Sequence, residues 1–210
     1  MAPEADLVLA SASPRRRELL ERLGLTLLVV PAELDETPRP DERPADYARR
    51  IAAAKCDAVA DARPGSPLAV VGADTTVIVD DRILGKPRDA DDARAMLALL
   101  AGRRHQVTTA YRVRLGDRAV ERAVSTAVSI RALQPAEVDA YLGSGEWRGK
   151  AGGYAVQGIA AAFVTEVRGS ITNVIGLPVS ELLADLQALG ALPRYPAPGF
   201  GAAAAPGDEP

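Results

Sequence analysis

The chain is poor in the residues that build metal cages, disulfides and redox centres. Among 210 residues there is one cysteine, Cys56, and one histidine, His105. A single cysteine excludes an intrachain disulfide and a four-cysteine zinc site. A single histidine excludes the two-histidine zinc-protease motif. There is no strong excess of either charge: the formal net charge is −3. A general nucleic-acid or anionic-membrane binder needs a basic field, so neither a nucleic acid polymer nor a membrane is expected as a partner. Apolar stretches run only a few residues, too short to span a bilayer. Glu4 and Asp6 stand where a secretory signal has its basic region, and no long apolar segment follows. The expectation is a soluble, cytoplasmic protein. No G-x-S-x-G elbow, Walker loop or dinucleotide fingerprint occurs. Lysine is scarce as well. Of 25 basic residues only Lys55, Lys86 and Lys150 are lysine, the other 22 being arginine.

What is present reads as an α/β protein. At 48% apolar and 25% charged residues the composition is ordinary globular usage. The length fits one domain, pinched into two lobes at most. A short apolar run, Leu7 to Ser11, reads as a buried strand. Ser13-Pro14 then opens a helix, with serine at the N-cap and proline at the first position, closed by Gly24. Further helices are expected over Pro44–Ala60, from Asp89 through Leu100, over Pro135–Leu142 and over Pro178–Leu189. Strands are expected over Leu68–Ala73, over a hairpin turning at Asp80-Asp81, over Gln106–Leu115 paired with Val120–Ile130, and over Ala161–Val167. Hairpins mixed with strand–helix units predict a mixed twisted sheet with flanking helices. Residues 1–192 form the domain. Residues 193–210, rich in Pro, Gly and Ala, are expected to be disordered.

Three segments carry candidate chemistry. In SASPRRR, Ser11 to Arg17, a strand passes into a helix start, where free N–H groups and the helix dipole favour an anion. Three arginines there oppose the dipole, and a bound polyanion is one reason for them; an exposed basic turn is the plain alternative. In GADTTVIVDDRILGKP, Gly72 to Pro87, Asp74 stands at the end of the expected strand, where a carboxylate can hold Mg²⁺ or orient water. Lys86 lies on the returning turn. In KAGGYAVQG, Lys150 to Gly158, Tyr154 offers a ring and Gln157 an amide that both donates and accepts. Glu36 and Lys55 are lesser candidates. For each of these residues alone, a surface or turn role remains open. His105 reads as structural, at a strand entrance, and Cys56 as a small core residue.

Taken in order, LASASPRRRELL, ELDE, AAAKCDAVA, VVGADTTVIVDDRILGKPRDADDARAML, AGRRHQVTTAYRV, KAGGYAVQG and GSITNVIGLPVSEL resemble the Maf family of nucleotide pyrophosphatases over residues 7 to 189. The resemblance implies an inosine triphosphatase-like fold, two lobes around a cleft, often dimeric. It implies a divalent-metal-dependent hydrolase, using Mg²⁺ or Mn²⁺, that cleaves nucleoside triphosphates between the α and β phosphates. By motif, the catalytic and metal-binding aspartate falls on Asp74. The phosphate-gripping segment falls on Ser11, Ser13, Arg15 and Arg16. Further substrate positions fall on Glu36, Lys55 and Lys86, and those linked with substrate choice on Arg15, Thr75 and Gln157.

Tyr154 and Gln157 match the branch of the family that prefers dTTP and UTP, whereas a branch preferring 7-methyl-GTP has Phe and Glu there. A neutral amide suits a uracil or thymine edge, which shows an N–H donor and a carbonyl acceptor. The expected chemistry is attack of water on the α-phosphorus, in line with departing pyrophosphate. Modified pyrimidine nucleotides are a further expected substrate class. A division regulator that works by binding in septum formation is the alternative. The three lysines are expected where a compact ammonium fits and a guanidinium does not.

Overall fold

The computed structural model describes residues 5–192 together with Tyr195 and Pro196. Two chain halves share one seven-stranded mixed sheet among the described residues. The first comprises β1 (Leu7–Leu9), α1 (Pro14–Glu21), β2 (Leu27–Val29), α2 (Pro44–Asp61), β3 (Ala69–Val79) and β4 (Arg82–Leu84). The second comprises α3 (Ala90–Leu100), β5 (Arg104–Leu115), β6 (Arg118–Ile130), α4 (Pro135–Ser144), β7 (Val164–Arg168), α5 (Ile171–Ile175) and α6 (Val179–Ala188). The strand order is β2-β1-β3-β5-β6-β7, with β4 also on β3. β1 runs parallel to β2 and β3, and the other pairs are antiparallel. The expected mixed α/β sheet with flanking helices is therefore present.

The expected elements recur with shifted edges. Asp89 caps α3 by accepting the Asp92 N–H at 2.8 Å. Ser13 holds the N-cap position of α1, but its side chain makes no capping bond. The strand expected over Ala161–Val167 begins only at Val164, behind a 3₁₀ turn over Ile159–Phe163. β2 and α5, each of five residues or fewer, carry too little periodicity to be read from sequence. The disordered tail expected over 193–210 lies outside the described residues, apart from Tyr195 and Pro196. Tyr195 rests on the core cluster of β1, α1 and α6.

β3 is longer than its expected Leu68–Ala73. Asp74, Thr75 and Thr76 continue it, because their backbones keep pairing with Ala110, Thr109 and Thr108 of β5. Asp74 thus stands mid-strand rather than at a strand end. The end that matters belongs to β1, which stops with Leu9 opposite Val71. β4 joins the same edge only at Val77. Between them, residues 72–76 of β3 have no strand beside them on that edge among the described residues.

The cores divide at the same level. Val71 and Ala73 belong to a cluster with Leu20, Leu182 and Leu186. Val77 and Val79, on the same face by strand alternation, belong to another with Leu97, Leu100 and Phe163. Thr75 lies between the two apolar masses. This is the physical content of two lobes.

The opposite face carries α2. Ala48, Ala52 and Cys56, spaced four apart, line its buried side. Below them Gly72 leaves room: a Cβ there would lie 2.5 Å from the Ala52 carbonyl oxygen and the Cys56 nitrogen. Cys56 is fully buried, as expected of a small core residue; its Sγ donates to the Val70 carbonyl at 3.2 Å, and burial pushes its pKa up to about 12. Those two clashing atoms are backbone, so a methyl group can be admitted only by lifting the helix. Gly72→Ala is expected to destabilise the chain by about 2–3 kcal/mol, read as a lower urea midpoint with unchanged slope.

Candidate active site

A cavity of about 310 Å³ opens at the bare stretch of β3 and is lined from α1, α2, the Glu36 loop, Lys86, residues 149–157 and α5. It gathers all the predicted positions: Ser11, Ser13, Arg15, Arg16, Glu36, Lys55, Asp74, Thr75, Lys86 and Gln157 all line it. Lys150 does not; its Nζ turns to the Arg148 carbonyl at 3.3 Å.

Its centre is an ion triad. Lys55 Nζ lies 2.7 Å from Glu36 Oε1 and 3.0 Å from Asp74 Oδ1. Lys55 and Asp74 are both buried, at 8% exposure. A buried ammonium is tolerated only where carboxylates answer it. Burial works against the charge of Glu36, but the hydrogen bond and charge of Lys55, with Lys86 and Arg16, outweigh it and hold its pKa below the ordinary glutamate value. Lys86 sits 4.0 Å from Glu36 Oε2 with its side chain 64% exposed. The enclosure that the ammonium-only expectation needs is present around Lys55, whereas Lys86 is open to solvent.

The loop carrying Glu36 has no regular structure and is held from α2. Tyr47 donates its hydroxyl to the Glu36 carbonyl at 2.9 Å, and burial with the charges of Asp74 and Glu36 pushes its pKa up to about 12. Arg50 forks onto Glu42 at 2.6 and 2.7 Å and reaches the Thr37 carbonyl. Tyr47 was not singled out in the sequence. Only its place on the buried face of α2, eleven residues past Glu36, hints at the contact.

The arginine run resolves into three roles, as successive helix positions 100° apart require. Arg17 turns to solvent and pairs with Glu21. Arg16 turns inward at 7% exposure. Its guanidinium donates to Gly176 O (2.8 Å), Ser11 Oγ (3.1 Å), Ala73 O (2.9 Å) and Thr75 Oγ1 (3.0 Å). It thus satisfies the carbonyl that β3 exposes at the gap and braces α1 against α5. Burial lowers its pKa from the usual arginine value while Asp74 pulls it back. Four of its five N–H donors are thus engaged inside the protein, while the residue still lines the cavity, which leaves one donor for a phosphate. Arg15 remains at the cavity wall, half-buried, with Nε on the Ile175 carbonyl at 3.3 Å. Of the run, Arg15 and Arg16 line the cavity beside the uncapped start of α1, and Arg17 does not.

Asn173 is the other residue the sequence did not reveal. Fully buried, it accepts the Thr109 N–H and donates to Val107 O and Thr126 Oγ1. Thr109 also bonds Thr75 at 2.9 Å, so α5 and β3 are tied through one threonine. On the opposite wall, the Tyr154 hydroxyl is 2.7 Å from His105 Nε2. This agrees with a structural His105 and takes the Tyr154 hydroxyl into the core. Gln157 stands exposed at the rim.

No group of three or more His, Cys, Asp or Glu able to hold a metal occurs among the described residues. The carboxylates of Asp74 and Glu36 are nevertheless the donor set a hard cation uses when substrate phosphates and water complete its shell. The only hydrogen bond the Asp74 carboxylate accepts among the described residues is at Oδ1. A Mg²⁺ or Mn²⁺ brought with a polyphosphate fits this arrangement.

The family model for Maf-like proteins matches residues 6–189. The chain belongs to this family. A relative from Cereibacter sphaeroides, named dTTP/UTP pyrophosphatase, is 50% identical over 190 residues, covering 90% of this chain and 97% of the relative. Relatives of the same name from Anaeromyxobacter dehalogenans and Sphingopyxis alaskensis are 51% and 53% identical, covering 90% and 88% of this chain and 96% of each relative. Among solved structures, a nucleoside-triphosphatase / dITP/XTP pyrophosphatase from Mycobacterium abscessus aligns over 89% of this chain and 97% of its own at 18% identity and TM-score 0.42, a likeness too loose to build on.

The enclosure of Lys55 has a direct consequence. Lys55→Arg is expected to cost about 1–3 kcal/mol of stability through overpacking, while Lys86→Arg changes it by less than about 0.5 kcal/mol, as exposed substitutions do. Urea titration of the two variants reads the contrast.

Proposed function

We propose that this Maf-like protein is a nucleoside triphosphate pyrophosphatase that converts dTTP and UTP, and modified pyrimidine triphosphates of the same shape, to the monophosphate and pyrophosphate. It would clear such nucleotides from the pool. The observation that carries the reading is the cavity itself. A buried carboxylate, Asp74, faces a space ringed by Arg15, Lys86 and the uncapped start of α1, and the relatives that share its sequence are named for this activity.

A polyphosphate supplies the negative charge that Arg15, Lys86 and the α1 N–H groups lack. A divalent cation held by Asp74, with Glu36 near it, would neutralise charge on the phosphate oxygens. Lys55 fixes the Asp74 carboxylate by one oxygen and leaves the other to the cavity. That second oxygen can orient a water toward the α-phosphorus and take its proton. Arg15 and Lys86 hold the departing pyrophosphate, where charge grows as the bond breaks. Gln157 meets the base edge at the rim.

A homodimer and a cytoplasmic setting belong to this reading on the family resemblance. No helix among the described residues is long and apolar enough to cross a membrane. No feature of the described residues favours a division regulator over the enzyme.

Asp74→Asn is expected to cut pyrophosphate release from dTTP by about 100-fold or more in the presence of Mg²⁺ or Mn²⁺; full activity in that variant contradicts the reading. Gln157→Glu should lower dTTP and UTP turnover roughly tenfold more than 7-methyl-GTP turnover. Profiling triphosphates with pyrophosphate detection shows it, and a uniform loss counts against base reading by Gln157.

A further inference from the structure

His105 takes no part in the chemistry above, yet it is 3% exposed on β5 and keeps a polar contact with the cavity wall. Its Nε2 lies 2.7 Å from the Tyr154 hydroxyl, and the two rings meet edge to face at 5.4 Å and 88°. Its Nδ1 is buried without a partner. Burial brings its pKa down to about 4, so the ring is neutral near pH 7 and carries one N–H. Either tautomer keeps the Nε2–Tyr154 hydrogen bond, the hydroxyl accepting from Nε2–H in one and donating to the Nε2 lone pair in the other.

Tyr154 packs its ring in the core, and the glycines before it lie against Val77 and Ala93, but the residues after it have few fastenings. Gly152 and Gly153 both adopt positive φ, at 68° and 72°. The segment is fastened by the Gly152 N–H on the Gly85 carbonyl at 3.0 Å, by Tyr154 on His105, and by Glu146, which accepts the Ile159 N–H at 2.8 Å. Between the last two fastenings lies a turn of four residues, 155–158, closed by the Gly158 N–H on the Ala155 carbonyl at 3.1 Å. Gln157 is on that turn and has no side-chain bond that fixes it.

We infer that His105 is a positioning residue for nucleobase recognition: it anchors Tyr154 and thereby holds the 155–158 turn so that Gln157 meets the base. The inference rests on the proposed reading of Gln157 at the base edge. The phosphate end of the cavity is built from α1, α2 and β3 and does not depend on this anchor. Loosening it therefore affects binding and choice of base more than the chemical step.

The test compares wild type with His105→Phe, which keeps a ring but loses the hydrogen bond, and with His105→Gln, whose amide N–H can replace Nε2. kcat and KM are measured with dTTP and dGTP, and backbone hydrogen exchange is followed over 150–158. In His105→Phe, KM for dTTP should rise about tenfold with kcat within about threefold, roughly the loss of one hydrogen bond. The preference for dTTP over dGTP should narrow, and exchange should quicken over 150–158 but not in α2 or β3. His105→Gln should recover most of each. An equal fall in kcat for both nucleotides with KM unchanged, or unaltered exchange over 150–158, overturns the inference. Should wild type show no preference for pyrimidine triphosphates, the proposed function fails, and the exchange data alone decide whether His105 holds the turn. Should His105→Phe not fold, Tyr154→Phe carries the same comparison.

Discussion

The closeness of α2 to β3 is the constraint on which the site depends. Gly72 has no side chain, and Ala52 and Cys56 come down into the space it leaves. Only because the helix lies this low does Lys55 reach Asp74 from one side and Glu36 from the other. The result is a buried ammonium whose desolvation is offset by two carboxylates, one of which is the proposed catalytic group. Removing Lys55 leaves the buried Asp74 carboxylate unanswered, a far larger penalty than the loss of a surface ion pair. Packing, stability and the orientation of the Asp74 carboxylate are thus parts of one arrangement.

The second constraint is the break in the sheet edge. β1 ends opposite Val71 and β4 begins opposite Val77. A central strand is left bare for five residues, and bare strand edges need their polar groups satisfied. Arg16 answers the Ala73 carbonyl from α1, while Thr75 ties to Arg16 on one side and Thr109 on the other. Asn173 then fastens Thr109 to α5. A polar seam runs between the two apolar cores, and the cavity is its open end. Substrate contacts can therefore involve both faces of one strand, Asp74 on the α2 face and Thr75 on the other.

Much of this was legible in the sequence. Helix starts at Pro14, Pro44 and Pro135 follow from proline at the first helical position, and the hairpin turn at Asp80-Asp81 adopts the positive φ that its flanking apolar alternation implies. The site residues could be named by family motif, and the fold brings them together. What stayed hidden is whatever depends on helix phase and distant partners. Three arginines in a row look alike, yet Arg17 faces solvent, Arg15 the cavity, and Arg16 lies buried in the cavity wall. Asp74 looks like a strand end because the apolar run stops there, but β-branched threonines and the β5 ladder carry the strand on. Tyr47, Asn173 and the His105–Tyr154 pair act across separations of eleven to 66 residues, with no local pattern to announce them.

The proposed role of Asp74 requires that water attack the α-phosphorus rather than the γ. The most direct measurement is hydrolysis of dTTP by the wild-type protein in ¹⁸O-water with Mg²⁺, followed by mass analysis of both products. Water attack at the α-phosphorus puts the label in dTMP and leaves the pyrophosphate unlabelled. Label in pyrophosphate, or release of dTDP with labelled orthophosphate, contradicts the account.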